Sequence, residues 1–67
     1  MKLAEYLEKN RISYARASRE LGVGHGSVVR RWSLSKGEKW AVMPSHKNMQ
    51  KIAEWSQGEV AIMDWFA

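Results

Sequence analysis

Apolar residues recur at helical spacing in several blocks along this chain. In "LAEYLEK", Leu3 and Leu7 stand four apart with Tyr6 beside them, while Glu5 and Glu8 fall outside the stripe. That spacing predicts a first helix over about Leu3 to Lys9. Asn10 and Arg11 make a short break. In the next block Tyr14, Ala17, Ser18 and Leu21 fall at i, i+3, i+4 and i+7. They form one face with small residues between larger ones, which lets another helix come close. Ser13 stands just before it, where a hydroxyl can accept an orphan backbone N–H as an N-cap. Arg16, Arg19 and Glu20 lie off the apolar face. Gly22 ends this second helix, in the left-handed conformation that only glycine adopts without a steric penalty.

Val23 reads as an apolar plug in the corner that follows. Gly24 or Ser27 is expected to cap a third helix that runs to about Leu34. Its buried side takes Trp32 together with Val28, four residues earlier, or Val29, three earlier. Either choice puts Ser27, Arg30 and Arg31 on the opposite side.

"SLSKGEKWAVMP" reads as a loop, with a turn at Lys36-Gly37. Pro44 ends any extended stretch, and Ser45 is placed to cap a fourth helix. Met49, Ile52, Ala53 and Trp55 or Ser56 form that helix's apolar side, and Gly58 stops it. In the tail "EVAIMDWFA", Val60, Ile62 and Met63 fit either a short strand or a last helical turn, with Trp65 and Phe66 packing in both cases. The expected fold is all-α: one domain over residues 1–67, a compact bundle of four to five short helices. Short extended segments at 39–43 or 59–63 are the one mixed alternative. A two-residue hairpin between them is impossible, because the fourth helix intervenes.

Composition narrows the function. With 67 residues and no cysteine, the chain has neither disulfides nor thiolate metal sites, and no cofactor is expected. His25 and His46 lie too far apart to suggest zinc. A domain this small buries only about 60% of its unfolded surface, so dimerisation would help it. No apolar run approaches the ~20 residues of a membrane span, and "MKLAEYLEKN" lacks an apolar signal core. A cytoplasmic protein without membrane or small-molecule partners is therefore expected. "GVGHG" superficially resembles a nucleotide loop, but no strand precedes it and the Walker lysine is missing. With no carboxylate pair or activated nucleophile either, an enzyme is not expected.

The net charge of +4 is unevenly spread. From Arg11 to Lys39 there are seven basic residues against Glu20 and Glu38, a net of +5, and the remainder of the chain carries −1. Positive charge confined to one segment is an electrostatic footprint for a polyanion, although a solvated basic face has the same composition. The charged segment coincides with a helix-turn-helix pattern: small Ser18 at the crossing, Gly22 at the corner, Val23 as plug, then Val28 or Val29 with Trp32 as anchors. An αα-hairpin packed for stability alone would share that geometry. It would not explain why the exposed positions are basic.

These residues resemble the Cro/repressor-type (lambda-repressor-like) helix-turn-helix regulators of phages, particularly the small Cro-like proteins. "ASRELGVGHGSVVRRW" is similar to their helix-turn-helix core. "KGEKWAVMPSHKNMQKIAEWSQGEVAIMDWF" is similar to their downstream pattern of Gly-Glu loop, proline, Met and Ile-Ala-Glu helix, Gly-x-Val and Asp-aromatic. The stretch Val23 to Trp32 is one residue longer than the family spacing, so either Val28 anchors with Trp32 shifted, or the corner carries an insertion and Val29 anchors. The resemblance implies a homodimer on a palindromic double-stranded DNA operator, acting as a transcriptional regulator, commonly a repressor.

In such a complex base-edge contacts choose sequence, and phosphate contacts supply affinity and register. His25, Ser27, Arg30 and Arg31 are the candidates for base edges, Arg31 for a phosphate as well. Arginine can bond both major-groove acceptors of guanine, worth roughly 1–3 kcal/mol of discrimination. Ser13, Tyr14, Arg16, Arg19, Lys36 and Lys39 are the phosphate candidates, the first two because helix N-termini hold phosphates through free N–H groups. Gly24 and Gly26 are expected to let the backbone approach DNA. The plainer alternatives are a solvated or helix-capping Arg30 and a merely exposed His25. Of the four tryptophans, Trp32 and Trp55 belong to apolar faces, Trp40 is free to touch DNA or a partner, and Trp65 with Phe66 seals the core or a dimer. Two other functions fit the same residues: an excisionase-like DNA-bending recombination factor, and a protein-interaction module such as an antirepressor.

Overall fold

Each helix starts where a polar residue or extended backbone frees the first N–H groups. In the computed structural model, which describes residues 1–66, α1 spans Leu3–Lys9, and the Glu5 carboxylate accepts the Lys2 amide at 3.3 Å. α2 spans Tyr14–Leu21 and is capped by Ser13, whose Oγ accepts the Arg16 amide at 3.0 Å. α3 spans Gly26–Ser33. α4 spans His46–Trp55, with the Ser45 hydroxyl accepting the Asn48 amide at 3.2 Å. A 3₁₀ turn at Ile62–Trp65 follows. The fold is thus a compact all-α bundle with no strand among the described residues.

The apolar stripes converge on one core of Leu3 and Leu7 (α1), Ala17 and Leu21 (α2), Val29 and Trp32 (α3), Ile52 (α4) and Val60. Val29, Ile52 and Val60 have no exposed surface. Burying each such side chain stabilises the fold by about 1.5–3 kcal/mol. α2 and α3 share the most extensive helix–helix contact. Ser56 is buried among these groups, and its hydroxyl is satisfied: it accepts the Val60 amide at 3.0 Å and donates to the Ala53 carbonyl at 3.3 Å. That pair of bonds turns the chain after α4 and delivers Val60 to the core.

Several expectations are corrected and several open choices are decided. His25, not Gly24 or Ser27, occupies the N-cap of α3, in extended backbone (φ −145°, ψ 149°) and without a side-chain cap. Val29 is the buried anchor beside Trp32, while Val28 packs at the core's margin. The 39–43 segment forms no strand; it is held by turns, with the Val42 amide donating to the Arg31 carbonyl at 3.2 Å. Residues 59–63 likewise lead into the 3₁₀ turn. α4 stops at Trp55, before Gly58, because Gln57 already has positive φ (56°). Tyr14 heads the packed face of α2 yet is 41% exposed, and Phe66, at 63%, does not seal the core.

Candidate nucleic-acid interface

The α2–α3 corner is built by three backbone choices. Gly22 is left-handed (φ 75°, ψ 24°), and its amide donates back to the Arg19 carbonyl at 3.3 Å. The Val23 amide donates to the Ser18 carbonyl at 2.9 Å, and its half-buried side chain plugs the corner against the core. The third choice is Gly26. A Cβ there would lie 3.1 Å from the Ala15 nitrogen and 3.2 Å from the Tyr14 carbonyl carbon, both backbone atoms of the first turn of α2. Gly26 is therefore the point where the two helices meet backbone to backbone. The expectation that it serves close approach to DNA is corrected, because the space it leaves is filled by α2. Gly24 faces open space. Ser18 is buried, and its hydroxyl donates to the Ala15 carbonyl at 2.7 Å. A small, internally satisfied side chain thus sits on the packed face of α2.

This crossing fixes which side of α3 meets solvent. With Val29 and Trp32 buried, Ser27, Arg30 and Arg31 stand exposed on the other side, at i, i+3 and i+4. His25 is exposed immediately before them. The four base-edge candidates therefore lie together at the start and outer face of one helix. Among the described residues, neither arginine is in an ion pair.

The phosphate candidates divide. Ser13 spends its oxygen on the α2 cap. The exposed Tyr14 ring places its hydroxyl 3.4 Å from that of Ser33, on the last turn of α3, so Tyr14 spans the two helices of the motif. Arg19 is exposed on α2. Arg16 is engaged: its Nε donates to Glu20 Oε2 at 2.7 Å. The Arg16 hydrogen bond, followed by one from the Trp55 indole to the other carboxylate oxygen, holds the Glu20 carboxyl below its ordinary range. Arg16 thus carries a partly neutralised charge. Lys36 borders a cavity of about 280 Å³ formed with the start of α1 and the 3₁₀ turn, away from the corner. Lys39 lies with its ammonium 5.4 Å from the centroid of the Trp40 ring.

Two further features escape a reading by periodicity. Arg31 also lies against Trp40, its guanidinium carbon 5.7 Å from the ring centroid. The Glu20–Trp55 bond crosses from α2 to α4, between residues 35 positions apart. Neither leaves a mark at helical spacing; the adjacency of Lys39 and Trp40 is the only local signal for the first. No cluster of three His, Cys, Asp or Glu able to hold a metal occurs among the described residues. No helix among them is long and apolar enough to cross a membrane. In comparisons with known proteins, no family model, curated protein or solved structure matches the chain significantly.

Proposed function

We propose that this chain is a sequence-specific double-stranded DNA-binding transcriptional regulator of the Cro-like kind, which lays the exposed face of α3 in the major groove. The observation that carries the reading is the corner itself. Gly22, Val23 and Gly26 pack α3 so that two arginines, without ion-pair partners among the described residues, face solvent together with Ser27 and His25. A stability-only hairpin gains nothing from adjacent unpaired cations, whereas a polyanion does. Arg30 and Ser27 are assigned to base edges, and the N-terminus of α2 with Tyr14 and Arg19 to the flanking backbone. DNA is bound as a homodimer on a palindromic site. The strongly exposed Met63 (81%) of the 3₁₀ turn and Phe66 just after it favour self-association over a solitary domain.

Selection of bound duplexes from a random pool tests the reading. Recovery of a motif with two-fold symmetry, bound less tightly as salt rises, is expected. A pool that stays random through successive rounds, or a complex indifferent to salt, would refute it.

A further inference from the structure

The loop after α3 folds back so that one exposed indole meets two cations. Gly37 turns the chain with φ 90°. The amides of Trp40 and Ala41 both donate to the Glu38 carbonyl at 3.1 Å, and the Val42 amide reaches the Arg31 carbonyl at 3.2 Å. The last bond pins the loop to α3 at the residue whose side chain lies against the ring. Trp40 is 60% exposed, so core burial does not account for its position. Arg31 and Lys39 sit 5.7 and 5.4 Å from the ring centroid, and among the described residues neither has a carboxylate partner.

Two like charges held against one ring repel, and the negative faces of an indole offset only part of that repulsion. An anion placed beside them removes the rest. We infer that Trp40 is a positioning residue: it holds Arg31 and Lys39 together as a clamp for one phosphodiester of duplex DNA. Arg31 is thereby committed to the backbone, and Arg30 is left to read the base. This inference rests on the DNA-binding reading above and divides the labour between the two adjacent arginines, where the sequence leaves Arg31 open between base and phosphate. Trp40 makes its contribution by stacking, without inserting between bases.

The test compares wild type with Trp40→Ala, Trp40→Tyr, Arg31→Ala and the Trp40→Ala/Arg31→Ala double variant. Binding is measured against the duplex that wild type selects and a scrambled duplex, over a series of salt concentrations. Circular dichroism is expected to match wild type in every case, since both side chains are exposed. Trp40→Ala is expected to weaken both duplexes by a similar factor of about 2 to 5, and Trp40→Tyr to restore most of the loss. Arg31→Ala is expected to lower the salt slope by about one and to cost less when Trp40 is already gone. In the free protein the Arg31 side-chain protons should show a ring-current shift that Trp40→Ala abolishes. Strictly additive losses, or an altered base preference in Trp40→Ala or Arg31→Ala, would overturn the clamp while leaving DNA binding intact. A wild-type protein that binds neither duplex would overturn both.

Discussion

The indole N–H of Trp55 donates to Glu20 Oε1 at 2.8 Å, while the other carboxylate oxygen of Glu20 accepts Arg16 Nε at 2.7 Å. One carboxylate thus joins α2 to α4 and fixes the helix-turn-helix on its support. The Trp55 ring also meets Tyr6 of α1 edge to face, with centroids 5.3 Å apart.

That relationship gives stability a pH dependence of defined sign. Glu20 has a folded-state pKa lowered from its ordinary value of 4.5, first by the Arg16 bond and then by the Trp55 bond. Its contribution is complete above about that value and is lost as pH falls through the lower, folded one. Asp64 acts in the same direction: its carboxyl is lowered from 3.8 chiefly by the Met1 ammonium, then by the Ala61 amide. Thermal unfolding followed from neutral pH to pH 3 should show a falling Tm, with a shallower fall in Glu20→Gln. Equal slopes for the two proteins would show that the carboxylate contributes nothing through its charge.

The glycines of the corner should respond very differently to a methyl group. Gly24→Ala meets open space and is expected to leave stability nearly unchanged. Gly26→Ala pushes a carbon to 3.1 Å from backbone that cannot rotate away. Overpacking of this kind costs about 1–3 kcal/mol, partly offset by alanine's better helix propensity, so a net loss of about 1 kcal/mol is expected. Gly22→Ala should lose about 1–2 kcal/mol to its left-handed backbone. Denaturant melts of the three variants rank them directly.

Ile52 is fully buried where α4 meets the shared core. Ile52→Ala is expected to cost about 2–5 kcal/mol, enough to unfold much of a domain whose total stability is about 5 kcal/mol or less. Ile52→Val, at about 0.5–1.5 kcal/mol, should remain folded and leave the proposed DNA binding unchanged. Chemical denaturation gives both values.

The proposed homodimer is expected to close over Met63 and Phe66. Met63→Asp and Phe66→Asp should leave the helical spectrum intact and shift sedimentation from dimer towards monomer, with at least about a tenfold weaker association. An unchanged dimer would place its interface elsewhere.

Helix positions were legible in the sequence because the apolar periodicity and the serine caps agree. Ser13 and Ser45 announce α2 and α4, and Gly22 announces the corner. The start of α3 was less legible. Gly24 and Ser27 compete there, and His25 takes the cap through its extended backbone without lending its side chain. The choice between Val28 and Val29 could not be settled by spacing alone, since both pair with Trp32 at helical intervals. The contact of Gly26 with α2 settles the rotation of α3 in favour of Val29. Aromatic character alone leaves the choice between core and surface open for Tyr14 and Phe66, which stand at the first position of α2 and just after the 3₁₀ turn and are both exposed. The clustering of the α3 candidates follows from periodicity. The engagement of Arg16 and the pairing of Arg31 with Trp40 depend on tertiary neighbours that no local pattern records.

The central claim is that the outer face of α3 engages duplex DNA. Titration of isotope-labelled protein with a short duplex at low salt, followed by amide resonances, tests it residue by residue. Shifts are expected to concentrate at Ser13 to Arg16 and at His25 to Arg31, to be reversed by added salt, and to be much weaker in Arg30→Ala. Resonances of these segments that stay still while duplex is added in excess, or shifts confined to Met63 to Phe66, would contradict the claim.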